Sequence, residues 1–205
     1  MKTKEALIIF VRNLEKGKVK TRLAKDLGDD KTLAVYKYLM EYTRDVCLST
    51  DCSAFVYYSD YVHLNDTWED NCFSKHKQAG YDLGERMQNA FTDVFALGFE
   101  KVCIIGSDCY ELQTEHIDGA FEKLDDSEVV LGPSADGGYY LLGSKKIVPN
   151  IFKDKDWGTA SVFDDTVQTL TRLDISYTEL ETLNDIDTYE DLLETDILVQ
   201  CKLEL

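Results

Sequence analysis

Val129-Val-Leu-Gly-Pro-Ser-Ala-Asp-Gly-Gly-Tyr-Tyr-Leu-Leu142 sets two short apolar runs, Val129–Leu131 and Tyr139–Leu142, on either side of a seven-residue stretch, Gly132 to Gly138. Each run is bounded by turn residues and reads as a buried strand. Parallel neighbours need a crossover of about a dozen or more residues, usually a helix, and this stretch has no room for one. The two runs cannot form a right-handed βαβ unit. Their sheet therefore contains an antiparallel member.

Outward from this stretch the chain alternates. Strand signals recur at Ala6–Val11, Ala54–Tyr58, Val102–Ile105 and Ser176–Leu180. Helical periods separate them. A short helical stretch covers Thr21–Leu27, and Leu33, Tyr36, Met40 and Cys47 mark a second helix. Leu83, Met87, Ala90, Phe91, Val94 and Phe95 follow the spacing of a third. Ile117, Ala120, Phe121 and Leu124 follow Thr114, and Thr159 is placed to cap a helix through Phe163, Val167 and Leu170. Thr188-Tyr-Glu-Asp191 has the pattern of a capping box. This order predicts an α/β fold with a mixed, mainly parallel sheet covered by helices on both faces. Tyr61 to Lys77 reads as a lid or as ordinary surface, and Ile197 to Leu205 receives no assignment.

With 205 residues, 44% of them apolar, and no Pro- or Ser-rich linker, residues 1–205 are expected to form one domain around one core. The net charge of −17 argues against nucleic acid or an anionic membrane as a general partner. No apolar stretch approaches the ~18 residues of a membrane helix, and no signal-peptide pattern precedes the first strand, so the expected location is the cytoplasm. The six cysteines show no C-x-x-C pair and read as intracellular thiols. Cys103 falls in a core strand, and Cys109 lacks a His in any motif that would make it a nucleophile.

Against this acidic background, Arg12 to Lys25 holds six basic residues and one acid, Glu15, a local charge of +5 directly after the first strand. Strand, glycine-containing loop and helix start present N–H groups and cations to phosphate. Ligands of open α/β sheets collect at the carboxyl ends of strands. There the sequence offers this basic loop, Gly106-Ser-Asp-Cys109 after Val102–Ile105, and Asp136 in the glycine-rich stretch. Cations with two carboxylates suit phosphate together with Mg²⁺ or Mn²⁺. Asp108 reads either as such a ligand or as a turn former, and Asp136-Gly-Gly either as a pocket element or as a tight turn. Asn184 to Asp191 carries four carboxylates, which either decorate a helix start or bring Asp185 or Asp187 to the metal of Asp108. Trp157 reads as packing or as a substrate platform.

Ile9 to Leu23, Gly106-Ser-Asp-Cys109, Gly132 to Gly143, Trp157-Gly-Thr159 and Asp185-Ile-Asp-Thr188, in this order, resemble the DUF2064 family of GT-A-type transferases, some of which are called arsenosugar-biosynthesis glycosyltransferases. Lys20-Thr-Arg-Leu23 is also similar to the first loop of phospholactate guanylyltransferases, and Asp-Ile-Asp-Thr to a motif of molybdenum-cofactor nucleotidyltransferases. The resemblance implies a single GT-A-like (Rossmann-like) α/β/α sandwich. It implies nucleotide and phosphate binding by Phe10, Arg12, Gly17, Lys20, Arg22, Lys25 and Ser107. Asp108 and Asp187 would hold Mg²⁺ or Mn²⁺, and Asp136, Gly137, Gly138, Tyr139 and Trp157 would line the substrate pocket, with Asp136, Lys20 and Arg22 catalytic. Tyr110 and Lys25 stand where the family usually has proline. The implied partners are a nucleotide or nucleotide-sugar and a small-molecule acceptor. The implied activity is metal-dependent glycosyl transfer from a nucleotide-diphospho-sugar; nucleotidyl transfer from a triphosphate to a phosphorylated acceptor uses the same residues, and a non-catalytic nucleotide-binding protein is the third alternative.

Overall fold

The computed structural model describes residues 4–203. In chain order the elements are β1 (Glu5–Val11), α1 (Thr21–Leu27), α2 (Asp29–Leu48), β2 (Ser53–Tyr58), β3 (Phe73–Lys77), α3 (Leu83–Ala96), β4 (Lys101–Ile105), α4 (Thr114–Asp126), β5 (Val129–Pro133), β6 (Tyr139–Ser144), a 3₁₀ turn (Pro149–Phe152), α5 (Val162–Arg172), β7 (Tyr177–Glu179), α6 (Tyr189–Leu193) and α7 (Ile197–Gln200). The strands form one sheet in the order β3-β2-β1-β4-β6-β5-β7. Every neighbouring pair is parallel except β4–β6 and β5–β6, so β6 is the antiparallel member that the short Gly132–Gly138 connection requires.

Ala6, Leu7, Ile8 and Ile9 of β1 are wholly buried, as a central strand covered on both faces must be. Leu7, Ile9 and Val11 pack with α2 and α4 through Tyr36, Met40, Ile117 and Phe121. Ala6 and Ile8 face the opposite layer, where Met87, Ala90, Phe91 and Val94 of α3 and Leu170 of α5 close the core. A third cluster joins α1 to the end of the chain: Leu23 packs with Val35 and Leu39 of α2 and with Ile186, Leu192, Ile197 and Leu198.

Three readings change. Tyr61 to Lys77 contains an edge strand, β3, which follows β2 in parallel through a crossover without a helix. Trp68 fills that crossover, fully buried and edge-on to Phe73. Thr159 does not cap α5. Its hydroxyl donates to the carbonyl of Asp156 at 2.7 Å, and the helix begins three residues later at Val162, behind Ser161. The unassigned tail includes α7, whose Ile197 and Leu198 belong to the third cluster. By contrast, the Thr188–Asp191 capping box forms as the sequence predicts, with Asp191 N–H donating to Thr188 Oγ1 and Thr188 N–H to Asp191 Oδ2.

Candidate active site

The register brings three segments to one edge of the sheet. β1 and β4 run parallel with Ile9 opposite Ile105, so the loops after both leave at the same edge. Because β6 runs the other way, with Leu141 opposite Ile105, its first residues and the 134–138 turn lie there too. Gly137 takes a left-handed φ of 88°, and a Cβ there would stand 2.2 Å from the carbonyl of Ala160, so the turn and the 157–160 segment approach as only glycine permits.

Lys20 is the junction of this edge. It is a non-glycine residue at φ 44°, ψ 51°, immediately before α1, and its side chain is only 8% exposed. Left-handed backbone at a residue with a Cβ costs of the order of 1 kcal/mol, a strain that clusters at functional sites. The turn aims the ammonium inward, where Nζ donates to Asp108 Oδ2 at 2.6 Å and to Asp187 Oδ1 at 3.4 Å. Arg22, two residues along and two-thirds exposed, donates from its guanidinium to Asp187 Oδ2 at 2.8 Å. Burial alone would lower the Lys20 pKa, but Asp108 first, and then Asp187 and Asp185, outweigh it and hold the ammonium above its usual range. Gly106 makes room for Asp108: a Cβ at that glycine would sit 2.7 Å from Asp108 Oδ1. The Ile186 N–H donates to the Asp108 carbonyl at 2.9 Å, tying the two carboxylate-bearing segments together.

The four carboxylates between Asp185 and Asp191 divide their work. Asp191 caps α6 and accepts from the Asp187 and Thr188 N–H groups, whereas Asp185 and Asp187 face the Lys20 junction. Asp185 accepts from Ser134 Oγ at 2.8 Å. Burial, followed by the charge of Asp108, pushes its carboxyl up to about 7, against the opposing pull of Ser134 and Lys20.

Beside this centre lies a pocket of about 220 Å³. Phe10, Met87, Ile104, Tyr139, Trp157 and Val162 supply apolar wall, and Asp136 and Asp185 are its carboxylates. Trp157 packs against the α3-side core, as one of its two sequence readings expects, and also lines the pocket. It lies against Gly84, where a Cβ would fall 2.6 Å from the indole. The Tyr139 hydroxyl and the Trp157 Nε1 are buried without a hydrogen-bond partner. Asp136 Oδ1 accepts from the Gly138 N–H at 2.8 Å, closing the turn, while the residue borders the pocket.

The other residues singled out in the sequence are spread around this edge. Gly17 takes φ 75° in the basic loop, beside Asp29. Lys16 pairs with Asp30 and Lys18 with Glu15, and Lys25 is exposed on α1. Ser107 is buried, and its hydroxyl lies 3.0 Å from that of Tyr36, which accepts from the Arg12 N–H; it fastens the loop after β1 to the end of β4. The Arg12 side chain lines a second, more polar cavity of about 520 Å³ on the α2 face, with Asn13, Lys37, Arg44, Tyr58 and His63. Tyr110 packs against Tyr42 with ring centroids 4.7 Å apart and tilted by 54°, and donates to Asp196 at 2.8 Å. Cys109 is buried, which, with the charges of Asp185 and Asp108, pushes its thiol up, away from the thiolate a nucleophile requires. The sequence reading missed Leu83, Met87 and Val162 as pocket wall and Ser134 as the support of Asp185.

Asp108 and Asp187, from separate segments, turn oxygens toward one point, at present filled by an ammonium, and Mg²⁺ sites commonly use one or two carboxylates with phosphate oxygens completing the shell. The pair fits that pattern. Among the described residues no group of three or more His, Cys, Asp or Glu is arranged to hold a metal unaided.

The mixed, mainly parallel seven-stranded sheet flanked by helices matches the fold of nucleotide-diphospho-sugar transferases and cytidylyltransferases. The chain belongs to the DUF2064 family, described as uncharacterized proteins conserved in bacteria, and matches it over residues 42–159. It is similar to the crystal structure of a protein from Desulfovibrio desulfuricans G20 provisionally designated a nucleotide-diphospho-sugar transferase, at 30% identity and TM-score 0.84, covering 93% of this chain and 85% of that one. It shares its fold with CMP:2-keto-3-deoxy-manno-octonic acid synthetase in complex with CTP, at 10% identity, TM-score 0.60 and coverage of 98% and 100%. It shares it also with the inositol-1-phosphate CTP transferase of T. maritima, at 14% identity, TM-score 0.54 and coverage of 100% and 99%. No curated protein matches the sequence. Among the described residues, no helix is long and apolar enough to cross a membrane.

Proposed function

We propose that the protein is a metal-dependent glycosyltransferase that moves a sugar from a nucleotide-diphospho-sugar to a small-molecule acceptor in the cytoplasm. One observation carries this reading: the Lys20–Asp108–Asp187 cation seat adjoins a compact pocket with aromatic walls and two carboxylates. A seat for charge beside a mostly apolar chamber suits a ligand with a diphosphate at one end and a small group at the other. The relative from Desulfovibrio, by its designation, supports the same class.

In this reading Lys20 and Arg22 neutralise the diphosphate as negative charge develops on it, the main barrier-lowering effect for such a leaving group. Asp108 and Asp187 hold Mg²⁺ or Mn²⁺, which when bound adds further neutralisation of phosphate charge. Asp136, at the pocket wall and fixed by the Gly138 N–H, orients the acceptor hydroxyl and takes its proton. Phe10, Tyr139 and Trp157 exclude water from the sugar, and Gly138 lets the backbone approach it, while Gly137 seats the turn against Ala160.

Calorimetric titration of UDP-glucose, GDP-mannose, GTP and CTP, with and without Mn²⁺, tests this. Metal-enhanced binding of a sugar nucleotide is the expected result. Preference for a triphosphate, with pyrophosphate released on adding a phosphorylated acceptor, would replace glycosyl by nucleotidyl transfer on the same residues. In Asp108→Asn the enhancement by Mn²⁺ should vanish; if it persists, Asp108 is no ligand.

A further inference from the structure

The buried ammonium of Lys20 stands where Asp108 and Asp187 converge. Its backbone is pinned: Val19 and Leu23 on either side are buried, and the Lys20 carbonyl accepts from the Ala24 N–H at 2.9 Å. Only the four-carbon stem is free to swing. A divalent ion binds carboxylate oxygens at about 2.0–2.1 Å, so it cannot share a seat whose occupant lies 2.6 Å from one of those oxygens. Entry of a metal therefore requires the ammonium to leave. Asp185, the nearby carboxylate, is already engaged by Ser134, and a buried charge stripped of its partner is strongly disfavoured. Phosphate oxygens brought in with the metal remove that obstacle, because they offer the displaced ammonium a new anionic partner within reach of the same stem.

We propose that Lys20 is the resident counter-ion of the metal seat and makes metal binding conditional on phosphate: the ion enters as a metal–phosphate complex, and bare metal is held out. This rests on the reading that Asp108 and Asp187 are the metal-binding pair. It assigns Lys20 a second task besides phosphate neutralisation, that of selecting what may occupy the carboxylates.

The test is binding of Mn²⁺ alone, followed by the electron-paramagnetic signal of the free ion, to the wild type, Lys20→Met and Lys20→Arg, with folding checked by thermal melting. Wild type and Lys20→Arg, which retain the charge, should bind bare Mn²⁺ weakly. Lys20→Met should bind it about tenfold or more tightly, the order of effect when a like charge within ~4–6 Å is removed. Adding inorganic pyrophosphate should raise Mn²⁺ affinity strongly in the wild type and much less in Lys20→Met. Equal or weaker binding of bare Mn²⁺ by Lys20→Met overturns the proposal while leaving the metal site intact. Absence of Mn²⁺ binding in all three proteins, with or without pyrophosphate, removes the metal site itself. Should Lys20→Met not fold, the wild type decides: binding bare Mn²⁺ as tightly as with pyrophosphate overturns the proposal, and a large gain with pyrophosphate supports it.

Discussion

Asp185 shows what a single residue contributes to such an edge and what it costs. Its carboxyl is pushed up to about 7 by burial and by Asp108, so the folded protein holds that proton more tightly than the unfolded chain does. The sign follows from linkage. The carboxylate imposes no penalty below the unfolded value, near 4, and the penalty grows as pH rises toward 7. In metal-free buffer Asp185→Asn should therefore be more stable than the wild type by about 4 kcal/mol at pH 8, the gap closing near pH 4; urea unfolding at the two pH values measures it, and an equal gap at both would exclude protonation as the cause. The basic loop and Asp108 were legible in the sequence as a +5 stretch in a −17 chain and a strand-end carboxylate, whereas the choice of Lys20 and Arg22 among the six cations came from the resemblance to the DUF2064 family. The state of Asp185 was not, because Ser134, 51 positions away, and Asp108 create it through the fold. Trp157 and Asp136 resisted a choice between two readings because each packs or closes a turn and also borders the pocket.

At the scale of elements, what was legible followed local rules. The short Gly132–Gly138 connection dictated an antiparallel β6, and Thr188-Tyr-Glu-Asp191 dictated the start of α6. β3 was missed because Phe73-Ser-Lys-His-Lys77 has one buried residue at its start and polar side chains thereafter, the composition of a guarded edge rather than of a core strand. The β2–β3 crossover is held instead by side chains distant in sequence. Asn13, 4% exposed, accepts the Asp60 N–H at 3.0 Å and donates to the Tyr61 carbonyl at 2.8 Å, while Lys75 pairs with Asp66 and Asp70. Asn13→Ala leaves those backbone groups without their partner and should cost about 1–3 kcal/mol. Hydrogen exchange checks it: protection should fall in residues 59–72 and hold in β4, and a uniform fall would mean that Asn13 supports the whole fold rather than this crossover.

At the scale of the molecule, an acidic body and one basic loop give the chain its polarity, and the loop is held in place by the far end of the sequence. Leu23 of α1 packs on Ile186, Leu192, Ile197 and Leu198. Deleting residues 196–205 uncovers that face of α1 and removes two buried aliphatic side chains; the loss should be about 3 kcal/mol or more, with metal-enhanced nucleotide binding weakened alongside. Melting and titration of the truncated chain check both, and unaltered binding would mean that the loop does not depend on this packing. The Lys20 contacts to Asp108 and Asp187 span 88 and 167 positions. During synthesis β1 and the basic loop emerge first, and the counter-charges of Lys20 follow 88 and 167 residues later. A growing chain thus carries the basic loop well before the carboxylates that Lys20 pairs with, and the Lys20–Asp108–Asp187 junction can close only after residue 187 has been made.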